Sequence, residues 1–186
     1  MTALIAKYTA LVAPIANRVI GHVGGPGSDT LSRTADADGS GDSPLGNLIA
    51  DAQRADATTI PTVGVTPQIA LMNPGGIRAD LIEDAAGNVT YAAAFNVQPF
   101  NNYDVSMDLT GQQVLNVLNE QWNGRNAAAF RILQVSGIAY AWDKSNAAAA
   151  ELDALVPGSV MVDADANPLT PMVPLDPAAT YRVVVN

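Results

Sequence analysis

The sequence predicts an α+β fold built on a mixed sheet. Helical and strand patterns both occur but do not alternate strictly, so neither a regular βαβ array nor an all-β sandwich fits. Hydrophobic residues make up 48 % of the 186, while 15 % are charged and 5 % aromatic, a composition that buries a core and is neither disordered nor coiled-coil. The length matches one domain on the usual scale of roughly 100–200 residues. The whole of 1–186 is read as that domain.

The elements follow in chain order. Leu4, Ile5, Tyr8, Leu11 and Val12 recur at helical spacing and predict an amphipathic packing helix. Lys7, Tyr8, Thr9, Pro14, Asn17 and Arg18 break the apolar run that a signal peptide or membrane helix needs. Residues 24–42 form a glycine-rich, acidic loop. Ser43-Pro44 then opens a helix, because Ser suits the N-cap and Pro loses no hydrogen bond in the first turn. Leu48, Ile49, Ala52 and Ala55 are its expected apolar face.

Residues 68–72 read as a short buried strand ending at the turn Asn73-Pro74-Gly75-Gly76, and Gly87-Asn88 is a second turn. Residues 104–109 alternate polar and apolar, the pattern of a half-exposed strand. Thr110 caps a helix with Gln113 in capping-box position, and Val114, Leu115, Leu118 and Trp122 supply the buried face. Residues 132–135 and 137–142 are strands joined around Ser136-Gly137. Residues 160–162 and 181–185 are further strands, with a turn at 163–168. The alanine-rich stretch 146–150 reads as a helix turn or loop, and no internal repeat is present.

Charge and composition exclude several functions. The balance of 9 basic and 18 acidic residues gives 9 − 18 = −9, which opposes binding to nucleic-acid phosphates or to an anionic membrane surface. Without cysteine there is no disulfide framework, zinc knuckle or thiol nucleophile, and the single His22 excludes a multi-histidine metal centre within the chain. The sequence contains no Gly-x-Ser-x-Gly elbow, Walker loop or Gly-x-Gly-x-x-Gly after a strand.

Three segments carry candidate chemistry. In Asn73-Pro-Gly-Gly-Ile-Arg78, glycines at a strand end allow close approach of a ligand to the backbone. Arg78 offers a planar fork for phosphate or carboxylate, and Asn73 offers a donor and an acceptor for a base edge. The plain alternative is a tight turn whose arginine pairs with Asp80 or Glu83. In Gln98-Pro-Phe100-Asn-Asn102 the ring is either a stacking platform or core. Asp36, Asp38 and Asp42 faintly resemble a calcium loop, but its twelfth position is Asn47 where a bidentate Glu belongs, which favours a solvated loop. Local sequence gives Arg33 no role beyond an exposed charge.

Taken together, several blocks resemble the C-terminal domain of the 5′-nucleotidase and UDP-sugar hydrolase family. They are Arg18-Val-Ile-Gly21, SPLGNLIADA at 43–52, LMNPGGIRADL at 71–81, QPFNNYDVSMDLTGQQVLNVL at 98–118, ILQVSGIAYAWD at 132–143 and the closing NPLTP and YRVVVN, all in family order. The resemblance implies a nucleotide-binding domain. A separate N-terminal metallophosphoesterase domain, absent from this chain, would carry two divalent metal ions. Asn73 and Arg78 map onto substrate contacts, Phe100 onto a base-stacking ring, and Gly75, Gly76 and Gly137 onto pocket-lining glycines. Arg33 maps onto a phosphate-holding arginine upstream of the SPLGNL block.

The resemblance further implies nucleotide or nucleoside ligands, the N-terminal domain as a partner in cis, and an extracellular, cell-wall or periplasmic setting. No catalytic residue or metal ligand is carried over, so the isolated chain is expected to be inactive. The family pattern continues past Val183-Val-Val-Asn186 with a second stacking aromatic and a ribose-binding Asp. The domain is therefore expected to be truncated, with one jaw of its base clamp. The rival expectation is a non-catalytic module for a ligand or protein partner that has lost its enzyme half.

Overall fold

A computed structural model describes residues 2–23, 30–34, 39–56, 66–123, 126, 131–143, 145 and 154–186. They form helices and mixed sheets, the predicted class. The backbone divides into two compact units. One joins the chain up to Arg33 with Gly76–Asn101, and the other joins Thr34–Gly75 with Asn102–Asn186.

The larger unit centres on a four-stranded sheet. Its inner strands are β2 (Ile69–Met72) and β9 (Thr180–Val185), which run parallel with Ile69 opposite Val183 and Leu71 opposite Val185. β4 (Val105–Thr110) pairs antiparallel with β9, and β5 (Gln134–Ser136) pairs antiparallel with β2. All four residues of β2 are buried, as a central strand covered on both faces should be. Ile69, Leu71, Tyr181 and Val183 join Val114, Leu118 and Trp122 in the main core. A second, three-stranded sheet follows, from β6 (Ile138–Ala139), β7 (Met161–Val162) and β8 (Val173–Pro174).

α2 (Pro44–Ala55) lies against β2 and β5. Ser43 caps it as expected, its hydroxyl accepting from the Gly46 N–H at 3.0 Å. The buried face differs from the sequence expectation. Leu45, Gly46, Ile49, Ala50 and Gln53 are buried, while Ala52 and Ala55 are exposed and Leu48 is 41 % exposed. The cause is close packing at Gly46, where a Cβ would come within 2.5 Å of Gln134 Cγ. The helix is therefore rotated to bring its glycine, not Leu48, onto β5.

α4 (Gly111–Asn119) has the predicted capping box, with the Thr110 N–H donating to Gln113 Oε1 at 2.8 Å and the Gln113 N–H to Thr110 Oγ1 at 3.2 Å. Trp122 extends the core toward Trp142, with ring centroids 5.3 Å apart. Tyr140 meets Trp122 edge-on, and burial pushes its phenol up to about 12.

The smaller unit contains α1 (Thr2–Ala16), β1 (Val19–His22), β3 (Asn88–Thr90) and α3 (Tyr91–Val97). β1 and β3 pair antiparallel, and α1 packs along α3. The first helix exists as predicted, but none of its residues is buried and Leu11 is 62 % exposed. Its apolar stripe is thus not the core face that its periodicity implied. The sequence did not signal β1, β3 or α3 as elements. Two of them are very short, and the alanine-rich α3 lacks a strong apolar stripe.

Candidate functional site

The smaller unit contains Arg33, Arg78 and Phe100, which come from separate parts of the sequence. After the turn at Pro74–Gly76, Ile77 is buried and Arg78 is exposed. The Arg78 N–H donates to the Val97 carbonyl at 2.8 Å, tying the arginine's backbone to the end of α3. Phe100 lies three residues beyond Val97, within a reach of roughly 10 Å of chain. The ring is 47 % exposed, as a stacking surface must be.

Arg33 reaches the same loop from the other side. Leu31 and Leu81 exchange N–H···O=C bonds of 3.0 Å each. Beyond that bridge the Arg33 N–H donates to Asp80 Oδ1 at 2.8 Å, and Arg33 Nη1 donates to the Arg78 carbonyl at 2.9 Å. The Arg33 guanidinium is thereby tied to the backbone of the Arg78 loop, 45 positions away in sequence. A guanidinium group can hold a phosphate or carboxylate, because it presents several donors in a fixed fork.

In the larger unit, Asn73 follows β2 and is exposed. Its Oδ1 accepts from the Gly75 N–H at 3.1 Å, an Asx-type turn that shapes the two-glycine segment. Gly75 is exposed and Gly76 half-buried. Gly137 is different. It is buried between β5 and β6 at φ +72°, and a Cβ there would overlap the Gln68 carbonyl and lie 2.8 Å from Arg54 Cζ. Packing and the left-handed backbone both call for glycine here. Arg54 passes beside it to donate to the Pro67 carbonyl at 3.2 Å and to pair with Asp163, which is almost wholly buried.

The carboxyl ends of the parallel strands β2 and β9 carry further polar groups. Ligands of open sheets commonly bind at such an edge. Asn102 Nδ2 donates to Asn186 Oδ1 at 2.9 Å, and Asn186 Nδ2 and Gln53 Nε2 each approach Asp104 Oδ1 at 3.4 Å. Burial raises the Asp104 carboxyl above its ordinary range, and these hydrogen bonds partly offset the rise.

Asp36 and Asp38 lie outside the described residues. Asp42 accepts from the Ser40 hydroxyl, and from Asn47 Nδ2 at 2.8 Å. Asn47 thus sits against the Asp42 carboxylate as a donor. Among the described residues no group of three or more His, Cys, Asp or Glu side chains could hold a metal ion. None of the described helices is long and apolar enough to cross a membrane.

Sequence reasoning missed Asp80, considering it only as a surface partner for Arg78. Its proximity to Arg78 was visible, but its bond to the backbone of Arg33 depends on the long-range Leu31–Leu81 bridge.

Comparison with known proteins gives this arrangement its family. Residues 19–186 match the model of the 5′-nucleotidase C-terminal domain, so the chain belongs to that family. It is 30 % identical over 185 residues to the endonuclease YhcR of Bacillus subtilis, covering 100 % of this chain and 12 % of that protein. A cell wall protein of Listeria monocytogenes is 31 % identical over 192 residues, covering 97 % of this chain and 22 % of its own length. Among solved structures, a 5′-nucleotidase precursor from Thermus thermophilus superposes with a TM-score of 0.69 at 32 % identity, over 100 % of this chain and 32 % of that one. The chain thus spans a third or less of these relatives.

Proposed function

We propose that this chain is the substrate-recognition domain of a 5′-nucleotidase-like phosphohydrolase acting on nucleoside monophosphates or related nucleotide esters. Arg33 and Arg78 bind the phosphate, Phe100 stacks on the base, and Asn73 contacts the substrate. Gly75 and Gly76 allow the ligand close to the backbone. The observation that carries this reading is the hydrogen bond from the Arg33 guanidinium to the Arg78 carbonyl, which ties one arginine to the loop that bears the other in a chain of net charge −9. Local positive charge on an acidic molecule suits a small anion better than a polynucleotide.

Hydrolysis belongs, on this reading, to a metallophosphoesterase domain elsewhere in the same polypeptide. Two divalent ions there would activate water and stabilise charge. A hinge between the domains would bring bound substrate to them. The chain alone binds without turnover, since phosphate monoesters are among the slowest esters to cleave unaided. The Listeria relative's description as a cell wall protein supports an extracellular, cell-wall or periplasmic setting.

Phe100→Ala tests the base contact. Stacking on one ring predicts millimolar adenosine affinity, about −4 kcal/mol. The variant is expected to abolish adenosine binding in ligand-observed NMR. Its cost in denaturant unfolding should fall well below the roughly 3–5 kcal/mol of emptying a core Phe site. A core-sized stability loss, or unchanged adenosine binding, would return Phe100 to a packing role.

A further inference from the structure

We infer that Asp80 is a positioning residue that holds Arg33 in register with Arg78 and so sets the anion affinity of the pair. This rests on the reading of the two arginines as anion ligands. Segments 31–33 and 78–81 meet at one isolated bridge, Leu31 with Leu81. Beyond it, the half-buried Asp80 supplies its side-chain oxygen to the Arg33 N–H at 2.8 Å. That contact takes the place of a further rung. Arg33 Nη1 then reaches the Arg78 carbonyl at 2.9 Å. Releasing the Arg33 backbone from Asp80 would loosen the chain beyond the Leu31–Leu81 bridge, and the exposed side-chain contact would then work against the entropy of a long side chain.

Electrostatics sharpens the inference. A carboxylate beside two cations opposes the binding of an anion. If Asp80 acted through its field alone, removing its charge would tighten anion binding. If it acts by anchoring, removing its acceptor oxygen weakens binding despite the gain in positive field. The two effects have opposite signs and separate by substitution. Asp80→Asn removes the charge and keeps an oxygen at the same reach, whereas Asp80→Ala removes both.

The test is calorimetric titration of the chain with inorganic phosphate and with adenosine monophosphate, with a thermal melt of every variant. Asp80→Ala is expected to weaken both ligands roughly tenfold, about the worth of one hydrogen bond. Asp80→Asn should bind at least as tightly as the parent. Asp80→Ser, too short to reach the Arg33 N–H, is the second truncation should the alanine variant melt early, and it should also weaken binding. Tighter binding in the truncated variants, or no change, overturns the anchoring role. Arg33→Ala and Arg78→Ala in the same titration keep the two claims apart. If neither alters phosphate binding, the anion-site reading itself fails. If both weaken it while the Asp80 truncations do not, only the role of Asp80 fails.

Discussion

Gly137→Ala is expected to cost about 3–5 kcal/mol of folding stability, measured by denaturant unfolding. Two terms add. A non-glycine residue at φ +72° carries a left-handed penalty of roughly 1–2 kcal/mol. Overpacking commonly adds about 1–3 kcal/mol and more when the obstacle cannot yield. Here the obstacle includes the Gln68 backbone carbonyl, and behind it the Arg54 guanidinium held by Asp163. Gly158 is the control. It has a similar φ of +74° but nothing within 4 Å of an added Cβ. Gly158→Ala should therefore show only the conformational term, roughly 1–2 kcal/mol. Equal losses at both positions would contradict the packing account. The family resemblance makes Gly137 a pocket-lining residue, so the same variant separates that role from a structural one. A ligand-specific loss with normal stability would favour the pocket.

Arg78→Ala is expected to weaken adenosine monophosphate binding about 10–100-fold, the equivalent of a hydrogen bond to a charged group at roughly 1.5–3 kcal/mol. Adenosine, which has no phosphate, should lose far less. The fall in stability in ligand-free buffer should stay well below the roughly 3–5 kcal/mol of breaking a buried ion pair, because the side chain is exposed and the backbone N–H that bonds Val97 survives the substitution. Calorimetry with both ligands and a thermal melt check the three expectations together. A large fall in melting temperature with unchanged affinity would make Arg78 structural.

Local chemistry was the most legible part of the sequence. The Ser43 cap, the Thr110–Gln113 capping box and the buried strand at Ile69–Met72 were all readable, because each is decided within a few residues. What depends on tertiary contact was not. The face of α2 turned on one glycine meeting Gln134, a residue 88 positions later. The apolar periodicity of α1 specified a helix but not its burial. In the candidate site, Arg78 and Phe100 stood out by residue type beside glycines and a proline. Arg33 looked locally like any surface charge and was nominated only by the family resemblance; the Leu31–Leu81 bridge is what brings it to the Arg78 loop. Gly137 looked like a ligand-facing glycine, and only its left-handed backbone and crowded surroundings reveal its structural need. Side-chain chemistry can nominate a site, but long-range pairing decides which nominees meet.

On the reading proposed above, this domain recognises a nucleotide through Arg33, Arg78 and Phe100. The most direct test is an NMR titration of the isotope-labelled chain with adenosine monophosphate, following arginine side-chain and aromatic ring resonances. The account predicts saturable shifts at Arg33, Arg78 and Phe100, with the phenylalanine shifts reproduced by adenosine and the arginine shifts by inorganic phosphate. Shifts confined to other aromatic residues such as Tyr140 and Trp142, or no shifts at millimolar ligand, would contradict it.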